Sequence, residues 1–277
     1  MPCHNAGAFL QEALDSILFQ TFQDFELVVV DDGSEDDSSE VLEEFRARDS
    51  RIRVLTKPRN EGIVASLNTG LDSCRGCYVA RMDADDIALP DRLARQIEAM
   101  DASPRVSALG GAVCYIDSAG KELGYIRKCR PDARLLLRSN PMLHPTVMIR
   151  REVVERNSIR YRQRYIYAED YYFWLELSRA GRLAALDEVV LKYRVSDGAT
   201  RFRRPRQVLG AALRVKRDAV LLLHIRPGLL DVVRFVAEAS LLLLPSALIA
   251  RIYRRFVLGI GQRPASNVNS GTVGARS

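Results

Sequence analysis

The chain has 277 residues, 47% hydrophobic and 27% charged, which is ordinary for a globular protein with one large domain, or a domain plus an appendage. Its five cysteines are odd in number and scattered, which excludes a disulfide framework and reads as a reducing compartment. The net charge of +6 conceals an asymmetry: residues 1–100 carry 10 Lys and Arg against 20 Asp and Glu, whereas residues 201–277 carry 14 against 3. A basic end on an acidic body points to an anionic partner, either nucleic acid or the cytoplasmic face of a membrane.

The opening stretch MPCHNAGAF lacks the charged and apolar regions of a signal peptide. Phe9, Leu10, Ala13, Leu14, Ile17 and Leu18 recur at helical spacing. Only Met1 to His4 precede that helix, where a central strand normally stands, so the first strand is expected to be truncated and the true start to lie upstream. FELVVV (25–30) reads as a strand buried on both faces, ending in the turn DDGSEDDS (31–38). A helix over 39–48, a strand at IRVLT (52–56), a helix over 60–73 and a strand at CYVARM (77–82) follow. Cys74 and Cys77 form a CxxC with no second pair or nearby histidine, which fits structural thiols at a helix-to-strand turn. A fourth helix opens at Pro90 and Asp91. Strands alternating with helices predict βαβ units and a parallel sheet, with ligands at the carboxyl ends of the strands. Both acidic clusters, Asp31/Asp32 and Asp83/Asp85/Asp86, fall at such ends.

Beyond residue 105 the segments 106–117, 123–128 and 145–151 read as antiparallel strands, 168–181 as a helix and 183–195 as extended. From about 205 the chain becomes helical and basic. Segment 228–257 is apolar but interrupted by Asp231, Arg234, Glu238 and Pro245, too soon for a spanning helix. It reads as an interfacial amphipathic segment on an anionic membrane, the alternative being a helical hairpin packed on the domain. The Gly/Ser/Asn-rich tail 261–277 is expected to be disordered.

Three carboxylates within four positions, Asp83, Asp85 and Asp86, repel one another and call for a positive charge among them. Carboxylate oxygens at a strand end suit Mg²⁺ or Mn²⁺, although for Asp86 helix capping explains the residue equally well. Taken in order, MPCHN, VVVDDGSEDDS, NEGIVASLNTG, ARMDADDIALPDRL and AEDYYFWLEL make the chain resemble the family 2 inverting glycosyltransferases over about residues 1–200.

That resemblance implies a Rossmann-like glycosyltransferase-A fold, α/β with a mostly parallel central sheet and an added carboxyl-terminal helical segment. Residues 1–204 would form the catalytic domain, with a nucleotide-binding half (1–104) and an acceptor half (105–204). Beyond the resemblance, composition reads residues 205–260 as a basic membrane-associating region, with the protein expected to be peripheral on the inner face of the cell membrane. The resemblance implies a nucleotide-diphosphate sugar donor, expected to be UDP-linked, and a saccharide or lipid-linked acceptor, as in surface polysaccharide or O-antigen assembly. Asp32 matches the acid that contacts the base, with Asp31 holding the turn. Pro2, Cys3 and Asn5 match the loop along the nucleotide, usually Pro-Thr-Tyr-Asn, with Cys3 and His4 departing from it. Arg59, Asn60 and Gly62 match the segment over base and ribose. Asp83 matches the first acid of the DxD, near the ribose, and Asp85 the second, on a divalent metal. Asp170 matches the base that takes the proton of the acceptor hydroxyl. Glu169 and Trp174 are candidate acceptor contacts, with an acidic first helical turn and core packing as their ordinary explanations. His144 is a candidate metal ligand or phosphate donor, or a hydrogen-bonded structural histidine. The run RFRRPR (201–206) is equally a contact to a phosphate or lipid surface and a solvated loop. Two other readings remain: an inactive nucleotide-sugar-binding paralogue, and a sugar-phosphate nucleotidyltransferase, whose Gly-rich amino-terminal loop is missing. Nucleic-acid binding is disfavoured, because the terminal arginines lie among aliphatic residues without interleaved aromatics.

Overall fold

The computed structural model describes residues 1–129, 133–195, 203–222 and 224–257. The tail 261–277 and Arg201 and Phe202 of the basic run lie outside the described residues. The amino-terminal half is a parallel sheet of three strands in the order β1 (Pro2–Cys3), β2 (Leu27–Asp31), β3 (Ile52–Thr56). β1 is only two residues long, as the sequence predicts, and Met1 extends its pairing by donating from its amino group to the Val28 carbonyl at 2.8 Å. β2 is an unbroken apolar run because both its faces are covered. Leu27 and Val29 pack with Leu10, Leu14 and Ile17 of α1 (Leu10–Leu18) and with Leu42 and Phe45 of α2 (Ser38–Arg48). On the other face Gly70 of α3 (Ile63–Ser73) lies against Val30.

The second sheet has the order β4 (Tyr78–Ala80), β8 (Met148–Arg150), β6 (Val106–Ile116), β9 (Arg182–Arg194), β5 (Ile87–Ala88), with β7 (Glu122–Arg127) on β6. Here only β6 and β9 run parallel; the other four pairs are antiparallel. The expectation of a mostly parallel sheet therefore holds for the first sheet, and the antiparallel strands expected after residue 105 occupy the second. Connection length fits the directions of two strands beside β6. β6 and β7 are joined by a tight turn in which the Asp117 carboxylate accepts from Ala119 and Lys121 N–H, both at 2.9 Å. β9 returns to β6 only after α5 (Arg151–Arg156) and α6 (Glu169–Ala180). A cavity of about 1060 Å³ is lined by residues of both sheets, among them Val28 and Val30 of β2 and Val79 of β4, with Leu67 and Leu71 of α3.

Under the second sheet lies the aromatic core. Tyr171, Phe173, Trp174, Leu175 and Leu177 of α6 are buried; Phe173 stacks on Tyr161 at 4.1 Å and Tyr172 on Tyr165 at 3.9 Å between ring centroids. In α4 (Arg92–Asp101), Arg92 is wholly buried and donates to the Arg81 carbonyl at 2.6 Å and to Gln96 at 3.1 Å. The carboxyl end forms α7 (Pro205–Leu222), α8 (Leu229–Ser240) and α9 (Ser246–Val257), joined by Leu209, Leu213 and Ile249 with Phe235 and Ala239 around them. Among the described residues no helix is long and apolar enough to cross a membrane.

Truncating the stacked ring in Phe173→Ala removes a fully buried side chain and is expected to lower stability by about 3–5 kcal/mol in chemical denaturation.

Candidate active site

The site is assembled from loops at the carboxyl ends of β2 and β4. After β2 the chain must turn at once. Asp31 is fully buried and closes the turn by accepting from Ser34 N–H at 3.0 Å, Ser34 Oγ at 2.6 Å and Ser39 Oγ at 2.8 Å. Gly33 has φ +69°, and a Cβ there would stand 2.6 Å from the Arg59 carbonyl carbon, so glycine alone allows the two loops to meet. Asp32, 3% exposed, accepts from the N–H groups of Glu61 (3.1 Å) and Gly62 (2.8 Å) and pairs with Lys57 at 3.1 Å. Burial alone would raise its carboxyl, but these donors hold it below the usual carboxylate range. The opening loop is stitched to the same place: Asn5 N–H donates to Ser34 Oγ at 3.0 Å, Asn5 Oδ1 accepts from Glu35 N–H at 2.8 Å, and His4 Nε2 and the Asn60 amide are hydrogen bonded at 2.8 Å. Hydrogen bonds and close backbone contact thus bring Asp32, Asn5, Arg59, Asn60 and Gly62 together where the β2 turn meets the start of α3, with Arg59 and Asn60 exposed. The Cys3 side chain is buried, which raises its thiol to about 11, and packs into the core. Its carbonyl accepts from Asp32 N–H at 2.8 Å.

After β4 the DADD turn brings carboxylate oxygens of Asp83, Asp85 and Asp86 within 4.8 Å of one another. A positive partner is already built in. Arg81, 8% exposed, forks onto Asp83, with Nη1 donating to Oδ2 at 2.5 Å and Nη2 to Oδ1. Asp85 and Asp86 have no such partner. Burial and the charge of Asp83 push the Asp85 carboxyl up to about 6, and raise Asp86 as well. Asp86 does not cap α4: its Oδ1 accepts from Arg194 N–H of β9 at 2.9 Å, while Oδ2 is buried without a partner among the described residues. Arg194 also donates to the Asp85 carbonyl at 2.8 Å, to the Asp117 carbonyl at 3.1 Å and to Glu12 at 2.5 Å, so one buried guanidinium fixes the DADD turn to β9, the β6–β7 turn and α1.

The third part is the first turn of α6. Asp170 Oδ2 accepts from Asn140 Nδ2 at 2.7 Å, and Oδ1 from Tyr171 N–H at 2.7 Å. Burial and the neighbouring charge of Asp170 push Glu169 up to about 7, and its Oε2 is buried with no partner among the described residues. Segment 136–140 is clamped in place: Tyr171 Oη donates to the Leu136 carbonyl, Lys216 of α7 to the Arg138 carbonyl at 2.8 Å, and Arg138 Nε to Asp231 of α8 at 2.6 Å. His144 is hydrogen bonded to Tyr161 Oη at 3.0 Å and stands edge-on to Trp174. Burial and the Arg81 charge push its imidazole well below the usual range, and it is not one of the carboxylate group; the hydrogen-bonded structural histidine is the arrangement found. Trp174 is fully buried, so core packing rather than contact with a sugar is its role. The charge of Arg81 acts on Asp83, Asp85, Asp86, Glu169 and His144 together, which puts the DADD turn and the α6 amino end in one electrostatic neighbourhood. Sequence reasoning missed Arg81, Arg194, Lys57 and Asn140. Arg81 stands two positions before Asp83, on the same side of an extended chain, and that spacing was its signal.

The chain matches the model of Glycosyl transferase family 2 over residues 1–157. It is 34% identical over 199 residues to the amylovoran biosynthesis glycosyltransferase AmsE of Erwinia amylovora, covering 70% of this chain and 74% of that protein. Its fold is similar to that of S. aureus TarS 1–349 in complex with UDP-GlcNAc, at TM-score 0.65 and 20% identity, covering 92% of this chain and 71% of that one. Against the longer TarS chain it spans 42% of that chain's length. It is likewise similar to the mannosyltransferase PcManGT of Pyrobaculum calidifontis in complex with GDP-Man and Mn²⁺, at TM-score 0.62 and 19% identity, covering 95% of this chain and 75% of that one. The chain belongs to the family 2 glycosyltransferases and has the glycosyltransferase-A fold.

Two predictions come from the charges. In a cycle of Arg81→Gln, Asp83→Asn and the double variant, the pair is expected to show a coupling of roughly 1.5–3 kcal/mol in denaturant unfolding. Glu169 is raised in the folded state, so the folded protein holds a proton there that the unfolded chain has lost above about pH 4.3. Its contribution to stability is therefore full below that value and lost as pH rises through about 7. The Glu169→Gln variant should lack that decline in melting temperature across the same pH series.

Proposed function

We propose that this family 2 glycosyltransferase moves a sugar from a nucleotide-diphosphate sugar, UDP-linked, to a saccharide or lipid-linked acceptor in surface polysaccharide assembly, with inversion at the anomeric carbon. The observation that carries the reading is the pairing of a donor-shaped acidic turn with a separate carboxylate: Asp83, Asp85 and Asp86 within 4.8 Å of one another, and Asp170 held by Asn140 at 2.7 Å. The UDP-GlcNAc bound to TarS and the amylovoran pathway of AmsE support the donor and the product class.

Asp32 would receive the imide N–H of uracil. It already accepts from two backbone N–H groups, the Lys57 ammonium and the Ser66 hydroxyl, so uracil would compete with one of these for the carboxylate. Arg59 and Asn60 would close over base and ribose, and the backbone of Pro2 to Asn5 would run along the nucleotide. Asp83, oriented by Arg81, would face the ribose. The buried, unpartnered Oδ2 of Asp86 beside Asp85 fits a hard divalent cation, and these two residues would hold it. Mn²⁺ or Mg²⁺ bound there supplies charge stabilisation for the departing diphosphate.

Asp170 would accept the proton of the acceptor hydroxyl as that oxygen attacks the face of the sugar opposite the nucleotide. Single displacement needs no covalent intermediate, so one such carboxylate is sufficient. Asn140 orients it by donating to Oδ2, and Tyr171 N–H holds Oδ1. Glu169, protonated to about pH 7, would donate a hydrogen bond to the acceptor beside it. Asp32, Asp83, Asp85 and Asp170 are all kept together, which favours an enzyme over an inactive binding paralogue.

Calorimetric titration with UDP and Mn²⁺, beside a turnover assay, tests the roles. Asp85→Ala should abolish metal-dependent donor binding. Asp170→Asn should bind the donor normally and lose turnover by roughly 10²–10⁴-fold; near-normal turnover by that variant would remove Asp170 as the base.

A further inference from the structure

Helix α8 is built inside out. Its two acids point toward the protein, where Asp231 accepts from Arg138 at 2.6 Å and Glu238 from Lys216 at 2.5 Å. Phe235 and Ala239 pack inward with Leu209, Leu213 and Ile249. The outward stripe is apolar: Leu229, Val233 and Val236, spaced i, i+4, i+7, are 83%, 55% and 60% exposed. Leu230 and Val232 flank it, and Val232 shares an open apolar pocket of about 190 Å³ with Leu221 at the end of α7 and with Pro227. A helix at a water interface buries its apolar stripe; one that buries its acids and presents its aliphatic side chains is matched to an apolar medium.

The charges around the stripe say which medium. Residues 201–277 contain only three acids, Asp218, Asp231 and Glu238. All three are neutralised by ion pairs within the fold, Asp218 by Arg164 at 2.8 Å and by Arg217 at 2.7 Å. Arg226 precedes the helix, and Arg234 stands one turn after Asp231, whose carboxyl its charge helps to hold low; both are exposed and without an ion pair among the described residues. The surface is therefore aliphatic with a cationic border. A second copy of the chain laid on it would bring those arginines against their like.

We infer that α8 and the end of α7 dock on an anionic lipid bilayer, with Leu229, Val233 and Val236 entering the acyl boundary and Arg226 and Arg234 meeting headgroup phosphates. The helix lies in the plane of the interface, consistent with its twelve residues. Docking does not depend on the sugar-transfer reading, and its test reads binding rather than turnover.

The full chain is sedimented with vesicles of phosphatidylcholine, with and without phosphatidylglycerol. Binding to the anionic vesicles is expected, falling at raised salt. The Leu229→Ser/Val233→Ser/Val236→Ser variant should bind at least about tenfold more weakly while keeping its melting temperature, since the replaced side chains are exposed. Arg226→Glu/Arg234→Glu should lose the preference for anionic over neutral vesicles. The inference is overturned if the unaltered chain does not sediment with anionic vesicles. It is equally overturned if both variants bind as it does. A dimer in light scattering that the triple variant dissolves, without vesicle binding by either form, would assign the face to a second copy instead.

Discussion

Everything in the site turns on how the fold tolerates three carboxylates in one turn. Unit charges of like sign a few Å apart repel by about 1 kcal/mol in water and by several where water is scarce. The protein answers with one buried guanidinium: Arg81 takes Asp83 in a two-pronged contact and only partly offsets Asp85 and Asp86. Partial neutralisation is the useful degree. Complete pairing would leave no field for a cation to enter, and none at all would make the turn too costly to fold. Arg81 can play this part because its own backbone is held as well: Arg92, packed away in α4, donates to the Arg81 carbonyl.

The remaining groups are placed by the same economy of cross-links between loops. Asp32 ties the β2 turn to the start of α3, Asn5 ties the opening loop to the β2 turn, and Arg194 ties the DADD turn to β9 and α1. Each tie joins segments far apart in sequence, so the site is rigid although almost none of it is regular secondary structure. Precise placement from loops requires such mutual bonding, because an isolated loop would disperse the acids over several Å.

Much of this was legible in the sequence. The dense run FELVVV announced a strand covered on both faces, and α1 and α3 do cover it. The acidic clusters were placed correctly at strand ends, and Asp31 was correctly separated from Asp32 as the residue that holds the turn. What remained hidden were long-range partners. Nothing in local spacing says that Arg194 reaches Asp86 across 108 positions, or that Asn140 reaches Asp170 across 30. The mixed second sheet was hidden for a similar reason, since strand direction depends on which neighbours meet, not on the strands' own residues. For Trp174 and His144 the sequence offered both a ligand role and a structural one, and their burial against each other fits the structural one.

The clamp on segment 136–140 has a further consequence. Lys216 and Asp231, from two successive helices of the basic end, hold Arg138 by its carbonyl and its side chain, and two residues later Asn140 grips Asp170. If α8 docks and Asp170 is the base as proposed, attachment and chemistry share a linkage only a few residues long, along which a shift of α8 would reach the Asp170 carboxylate. Trimming the chain at residue 204 would remove Lys216 and Asp231, and with them that strut.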